Sequence, residues 1–179
     1  MNINAGWLYY NSAPMEWVTL FRDLAETDPI KLIKVALKNK TNLDFANWLI
    51  VHIMEYKKYV SCAIFAAKHI LRKHKYKNKI LKNSLKIAEK CLKQNLVNHY
   101  DVFQASYAAE AVGANAEVDD NIEMAYAAYA IRHAIRAAAD ANSAEAYSAI
   151  DFSTYTESNS KAKQKIKIKM LKYGLSMMN

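Results

Sequence analysis

The sequence predicts an all-α protein: a single-domain helical bundle or stack of about seven helices spanning residues 1–179. Apolar residues recur at steps of three and four along most of the chain, the spacing of one face of a helix. Ala, Leu, Lys and Ile dominate, and Ala and Lys are good helix formers. Only three Gly and two Pro are present, too few turn-makers for an all-β or α/β design.

The elements follow in chain order. Ser12 and Pro14 open a short helix carrying Trp17, Val18, Leu20, Phe21 and Leu24, since Ser favours a cap and Pro a first turn. Asp28-Pro29 repeats the device for a helix through Lys38. Asn42 caps a helix to about Tyr56 that is apolar around most of its girth, which predicts a central, buried position. Lys57–His74 and residues 78–93 are amphipathic. In the second of these, Ile80, Leu81, Leu85, Ala88, Cys91 and Leu92 oppose a ridge of lysines. Asn95–Asp101 reads as a break. Residues 101–115 and 120–150 read as Ala-rich helices lying deep in a tight stack, because small side chains let helix axes approach. Asp151–Asn159 reads as a loop. Ser160 starts a last Lys-rich helix, although Lys165–Lys169 also alternates like a strand. Residues 1–42 form a helical extension to the remainder.

Charge is sorted along this chain of net charge +8. Residues 57–93 hold twelve Lys/Arg against Glu89 alone, residues 101–157 hold ten Asp/Glu against Arg132 and Arg136, and residues 161–173 add six Lys. Separated fields of this kind steer charged partners without naming a reaction. They also give a homodimer an electrostatic route.

No apolar run reaches the roughly 20 residues of a membrane-spanning helix, and Met1–Asn4 starts no secretion signal. Cys62 and Cys91 sit among apolar neighbours and read as buried, reduced thiols. A cytoplasmic protein is expected, with no membrane partner.

The run Asn47-Trp48-Leu49, followed by Tyr59-Val60-Ser61-Cys62-Ala63-Ile64-Phe65-Ala66-Ala67-Lys68-His69-Ile70-Leu71, resembles the alanine-rich immunity proteins of bacterial polymorphic toxin systems. The likeness covers about residues 43–175. It includes the Ala/Tyr stretch Ala125–Ala130 and a closing helix with Gln164, Leu171 and Leu175. It implies an all-α binding protein that neutralises a toxin. One departure is His74–Lys79, where that family has a Pro-containing turn. Such domains also occur in phage genomes, which leaves a counter-defence role open.

Two constellations are candidate sites. Tyr126, Tyr129, His133, Arg136 and Asp140 step by three or four along residues 120–150. They form either a partner-contacting row, because Tyr and Arg are enriched at binding hot spots, or a groove-facing side with Arg136 and Asp140 as a local pair. Lys68, Arg72, Lys73, Lys75, Lys77, Lys79, Lys82 and Lys86, with Tyr59 and Tyr76 interleaved, form the basic alternative. That face is internally compensated, or binds an acidic protein, or binds nucleic acid with salt-dependent affinity.

The acids Glu117, Asp119, Asp120 and Glu123 lack the Gly and terminal Glu of a calcium loop and read as helix-start chemistry. His52, His69, His74, His99 and His133 show no metal-ligand spacing, and no nucleophile motif is present. The expectation is therefore a non-enzymatic protein without metal or cofactor. It would be a small binding protein neutralising a toxin or effector. The alternative is a phage- or mobile-element-encoded protein binding a host defence complex or nucleic acid through the basic helices.

Overall fold

The computed structural model describes residues 2–93 and 98–178, and those residues form ten α-helices with no strand. They are α1 (Ala5–Tyr10), α2 (Met15–Leu24), α3 (Pro29–Asn39), α4 (Leu43–His52), α5 (Tyr56–Lys73), α6 (Lys79–Lys93), α7 (His99–Val118), α8 (Ile122–Ala139), α9 (Ser143–Tyr155) and α10 (Ser160–Met178). The all-α expectation holds, but the helices number ten instead of about seven. Part of the excess is α1, whose first turn is capped by the Asn4 side chain accepting from the Trp7 N–H at 2.8 Å. A further part comes from residues 120–150, which divide into α8 and α9. Ala141 turns left-handed there (φ 51°), and the Asn142 side chain accepts from the Ala144 N–H at 2.9 Å, starting a new helix.

Cap chemistry decides several other boundaries. Asp28 caps α3 as expected, accepting from the Ile30 N–H at 2.9 Å. Ser12 does not cap α2; it occupies a left-handed turn, and the N-cap is Pro14. Asn42 also turns left-handed and makes no side-chain cap bond, and α4 stops at His52 instead of about Tyr56. His99–Asp101 already belong to α7, with Asn98 accepting from the Tyr100 N–H at 3.0 Å. The remaining part of the expected Asn95–Asp101 break, up to residue 97, lies outside the described residues. Asp151–Tyr155, expected as loop, continues α9. The Ser153 and Thr154 hydroxyls donate to carbonyls three residues back (Ile150 O and Asp151 O), and both side chains are buried. Burial against the stack overrides their weak helix preference. Lys165–Lys169 is helical, as the spacing favoured.

Helix α8 is the centre of the stack. It packs against α5, α6, α7 and α9, with Ala125, Ala127, Ala128, Ala130, Ile131, Ala134, Ile135, Ala137 and Ala138 buried. Only half of the expectation for the Ala-rich pair holds, because α7 lies on the outside with Tyr100, Phe103 and Tyr107 exposed. The α6 stripe is buried except for Leu92, which is half-buried, and Ile80, which points outward.

The second centre is α4, where eight of ten residues are buried. Trp48 stands in a cluster of rings with Trp7 (5.9 Å between centroids), Trp17 (5.7 Å), Phe45 and His52. The N-terminal helices thus dock on α4 through two tryptophans. Helix α10 closes the other side. The buried Asn47 amide donates to Leu43 O at 2.9 Å and to Lys167 O at 3.2 Å, and Lys167 Nζ pairs with Asp44 at 2.5 Å. Gly174 is required at this crossing, since a Cβ there would come within 2.7 Å of Ile50 Cδ1. One cluster of buried apolar side chains, Trp48 and Ile64 among them, draws members from all ten helices. No described helix is long and apolar enough to cross a membrane.

Two outcomes follow from this packing. Trp48→Ala removes the ring on which Trp7 and Trp17 rest, and should cost roughly 3–5 kcal/mol in urea unfolding followed by circular dichroism. Burial pushes the His52 imidazole below its usual range, with its Nδ1 2.8 Å from Trp48 O. Below the ordinary histidine value of about 6.5, the unfolded chain therefore takes up a proton that the folded chain resists. Stability falls as pH drops through that region. His69, also held low, acts in the same direction. Melting at pH 7.5 and 5.5 should show this loss, and His52→Gln should reduce the difference.

Candidate functional site

The α8 row divides at its middle. Tyr126, Tyr129 and His133 are turned into the groove between α8 and α9, where Phe152 fills the space. Ring centroids lie 6.0, 5.6 and 5.0 Å from Phe152, and the His133 and Phe152 planes are within 11° of parallel. Tyr129 also lies against α7, where a Cβ on Gly113 would come within 2.8 Å of its ring. These three side chains lock helices together.

At the next turn His133 Nδ1 meets Glu145 Oε2 at 2.5 Å, and Arg136 Nε stands 3.5 Å from both Glu145 and Asp140. The His133 hydrogen bond holds the Glu145 carboxyl below its usual range despite burial, and the Arg136 and Arg132 charges add to this.

Arg136 and Asp140 reach the surface, and α7 supplies the aromatic partners that the row lost. A cleft of about 520 Å³ runs between α7 and α8, lined by Phe103, Tyr107, Glu110, Arg132, Arg136 and Asp140. Phe103 and Tyr107 stack with centroids 5.8 Å apart and are 61% and 63% exposed. Arg132 Nε lies 3.3 Å from Glu110 Oε2 but makes no hydrogen bond. Sequence reasoning missed Tyr100, Phe103 and Tyr107. Their steps of three and four were a visible signal, but on an Ala-rich helix such a stripe reads as core.

The basic set is also divided. Lys68 pairs with Glu89 at 2.7 Å on α6, while Lys73 pairs with the buried Glu157 after α9. Arg72, Lys75 and Lys82 surround a shallow cleft with Leu71 and Tyr76. Lys77, Lys79 and Lys86 are exposed and make no ion pair among the described residues. Tyr59 is not interleaved with them; it is buried beside Tyr56. Burial, followed by the Glu123 charge, pushes the Tyr76 phenol up to about 12.

The acids at the α7–α8 turn are spread out. Asp119 ends α7, Asp120 turns left-handed, and Glu123 faces His74 Nδ1 at 3.5 Å. Among the described residues, no three His, Cys, Asp or Glu side chains converge as a metal site requires. Cys62 and Cys91 are buried free thiols, and burial pushes Cys62 up to about 12, far from a reactive thiolate. No family model, curated protein or solved structure matches this chain.

The Glu145 clamp has a pH signature distinct from that of the histidines. Its stabilisation is present above the ordinary carboxylate value and is lost as pH falls through the lowered native one. Glu145→Gln should cost about 1–3 kcal/mol at pH 7, the scale of a partly buried charged hydrogen bond. The deficit relative to wild type should shrink below about pH 4.5, measured by chemical denaturation across pH.

Proposed function

We propose that this chain is a non-catalytic binding protein that neutralises a toxin or effector protein by covering part of its surface, with the α7–α8 cleft as the contact. The observation that carries the reading is the pair of exposed, stacked rings Phe103 and Tyr107 beside Arg132 and Arg136. Aromatic and arginine side chains around a concavity are the groups that dominate binding energy when a partner excludes water from them. A fully buried aromatic side chain covers about 150–250 Å², and more than half of each of these two still faces water. The 3.5 Å contacts of Arg136 are long for a charge-assisted bond, which is ordinarily about 2.7–2.9 Å. A carboxylate on the partner can therefore replace Asp140 at little cost. The resemblance of residues 43–175 to alanine-rich immunity proteins supplies the class of partner. The reading places the protein in the cytoplasm and asks for no cofactor.

The second reading is a counter-defence protein of a phage or mobile element, acting on a host complex or its nucleic acid. The observation favouring it is the exposed group Arg72, Lys75 and Lys82.

Affinity capture from nuclease-treated lysate, with wild type and Phe103→Ala/Tyr107→Ala run in parallel, separates the two. The neutralisation reading expects a protein captured by wild type and lost by the double variant, with unchanged melting. It further expects the captured protein's activity to fall when wild type is added back. Arg136→Ala should weaken that complex about thirtyfold, the equivalent of roughly 2 kcal/mol. Retention by the double variant together with loss by Lys82→Ala would move the contact to α5–α6 and remove this proposal.

A further inference from the structure

The helices α5, α6 and α10 bring together cations that outnumber the acids facing them. Two clefts of about 310 Å³ each adjoin there and share Lys68 and Arg72. The first adds Lys75 and Lys82 at the end of α5. The second adds Lys93 and has a floor of Ile64, Phe65 and Tyr173. Glu89 is the one carboxylate lining either cleft, and it is engaged by Lys68 at 2.7 Å. Arg72 makes no ion pair among the described residues and is exposed. The excess positive field acts on the histidine beside it. Burial, then the charges of Lys169 and Lys73, hold the His69 imidazole below its usual range, and Lys169 Nζ lies 3.0 Å from His69 Nδ1. The neutral ring accepts a hydrogen bond from the Lys169 ammonium at that distance, so the positive field is relieved by keeping the imidazole uncharged and not by a nearby acid.

The floor narrows the choice of anion. Phe65 and Tyr173 stack face to face, with centroids 3.9 Å apart and planes within 4°, and both are half-buried at the cleft wall. Lys169 Nζ lies 5.8 Å from the Phe65 centroid. The two rings cover each other's facing sides, and their exposed remainder at the cleft wall offers an apolar, aromatic surface to a base, with cations around it for the phosphates on either side. This combination marks surfaces that bind single strands without sequence preference. An acidic polypeptide would use the cations and gain nothing specific from the rings. A duplex keeps its base faces stacked inside and has none to offer.

We infer that the α5–α6–α10 surface is a single-stranded nucleic-acid site, in which Lys68, Arg72, Lys75 and Lys82 bind consecutive phosphates and the Phe65–Tyr173 stack receives a base. The site is separate from the α7–α8 cleft and does not depend on the neutralisation reading.

The test uses the full chain and a fluorescein-labelled 20-nucleotide oligo-dT, with binding read by fluorescence anisotropy. With four phosphate contacts and a slope of about −0.7 per contact, affinity should fall about fiftyfold between 50 and 200 mM salt. Arg72→Gln/Lys82→Gln, both exposed and therefore neutral to folding, should weaken binding at least tenfold at 50 mM salt and flatten the salt dependence. Phe65→Leu should weaken single-strand binding by about fivefold or more, the lower range of one lost stacking contact, with the salt slope unchanged. Absence of binding at 50 mM salt would overturn the inference. So would equal affinity for a duplex of the same length, or displacement of the oligonucleotide by poly-glutamate at equal charge concentration.

Discussion

The smallness of the side chains on α8 is the constraint on which the rest depends. Four helices meet α8, and they can do so only because alanine occupies most of its buried positions. A methyl group lets a neighbouring backbone approach closely, so cohesion there comes from many short dispersion contacts, each small alone. The larger side chains are displaced to the margins. Phe152 and Tyr129 fill the gaps beside α8, and Tyr129 in turn fits only because Gly113 has no Cβ. The bulkiest group, Trp48 with its ring neighbours, gathers around α4. A close-packed helical centre thus forces a peripheral aromatic shell, and Phe103 and Tyr107 are, with Tyr100, the part of that shell on α7 left facing outward.

A few of the sorted charges join helices distant in sequence. Lys73 reaches Glu157, His74 reaches Glu123, and Lys167 reaches Asp44. These links tie the basic segments to acids from elsewhere in the chain. Internal compensation is nonetheless uneven. Glu157 is buried and engaged, whereas Arg72, Lys75 and Lys82 find no acid among the described residues. The surplus therefore collects where α5 and α6 converge, and the acidic half becomes the better neutralised of the two.

Helix content and the buried faces were legible because the 3.6-residue period runs through α5, α6 and α8, and because α4 is apolar around most of its girth. Capping was legible only where the side chain had the geometry to act. Asp28 precedes Pro29 in an extended conformation and caps, while Asn42 turns left-handed and cannot. The α8–α9 break was readable in Asn142 with Glu145 three residues on, the residues of a capping box. The strong alanine periodicity on either side hid it. With Asp151–Asn159 read as a loop, Phe152 has no place from which to cover Tyr126, Tyr129 and His133, so the partner-contacting and groove-facing readings of the row stay undecided. Periodicity identifies a second face of a helix without saying whether water or another helix meets it. For the same reason, the outward stripe on α7 passed for core.

The docking of α1 and α2 through Trp7 and Trp17 onto Trp48 has an optical consequence. The other two of the chain's three tryptophans both have ring centroids under 6 Å from Trp48. Excitation is shared within the group, and its emission reports on a single corner of the molecule. Detachment of the N-terminal helices would change that signal at once. Rearrangement of the α7–α8 cleft, or of the cationic surface on α5 and α6, would leave it untouched. Intrinsic fluorescence is in effect a gauge of whether the amino-terminal arm is seated, and binding at either of the other surfaces has to be followed by a label or by tyrosine.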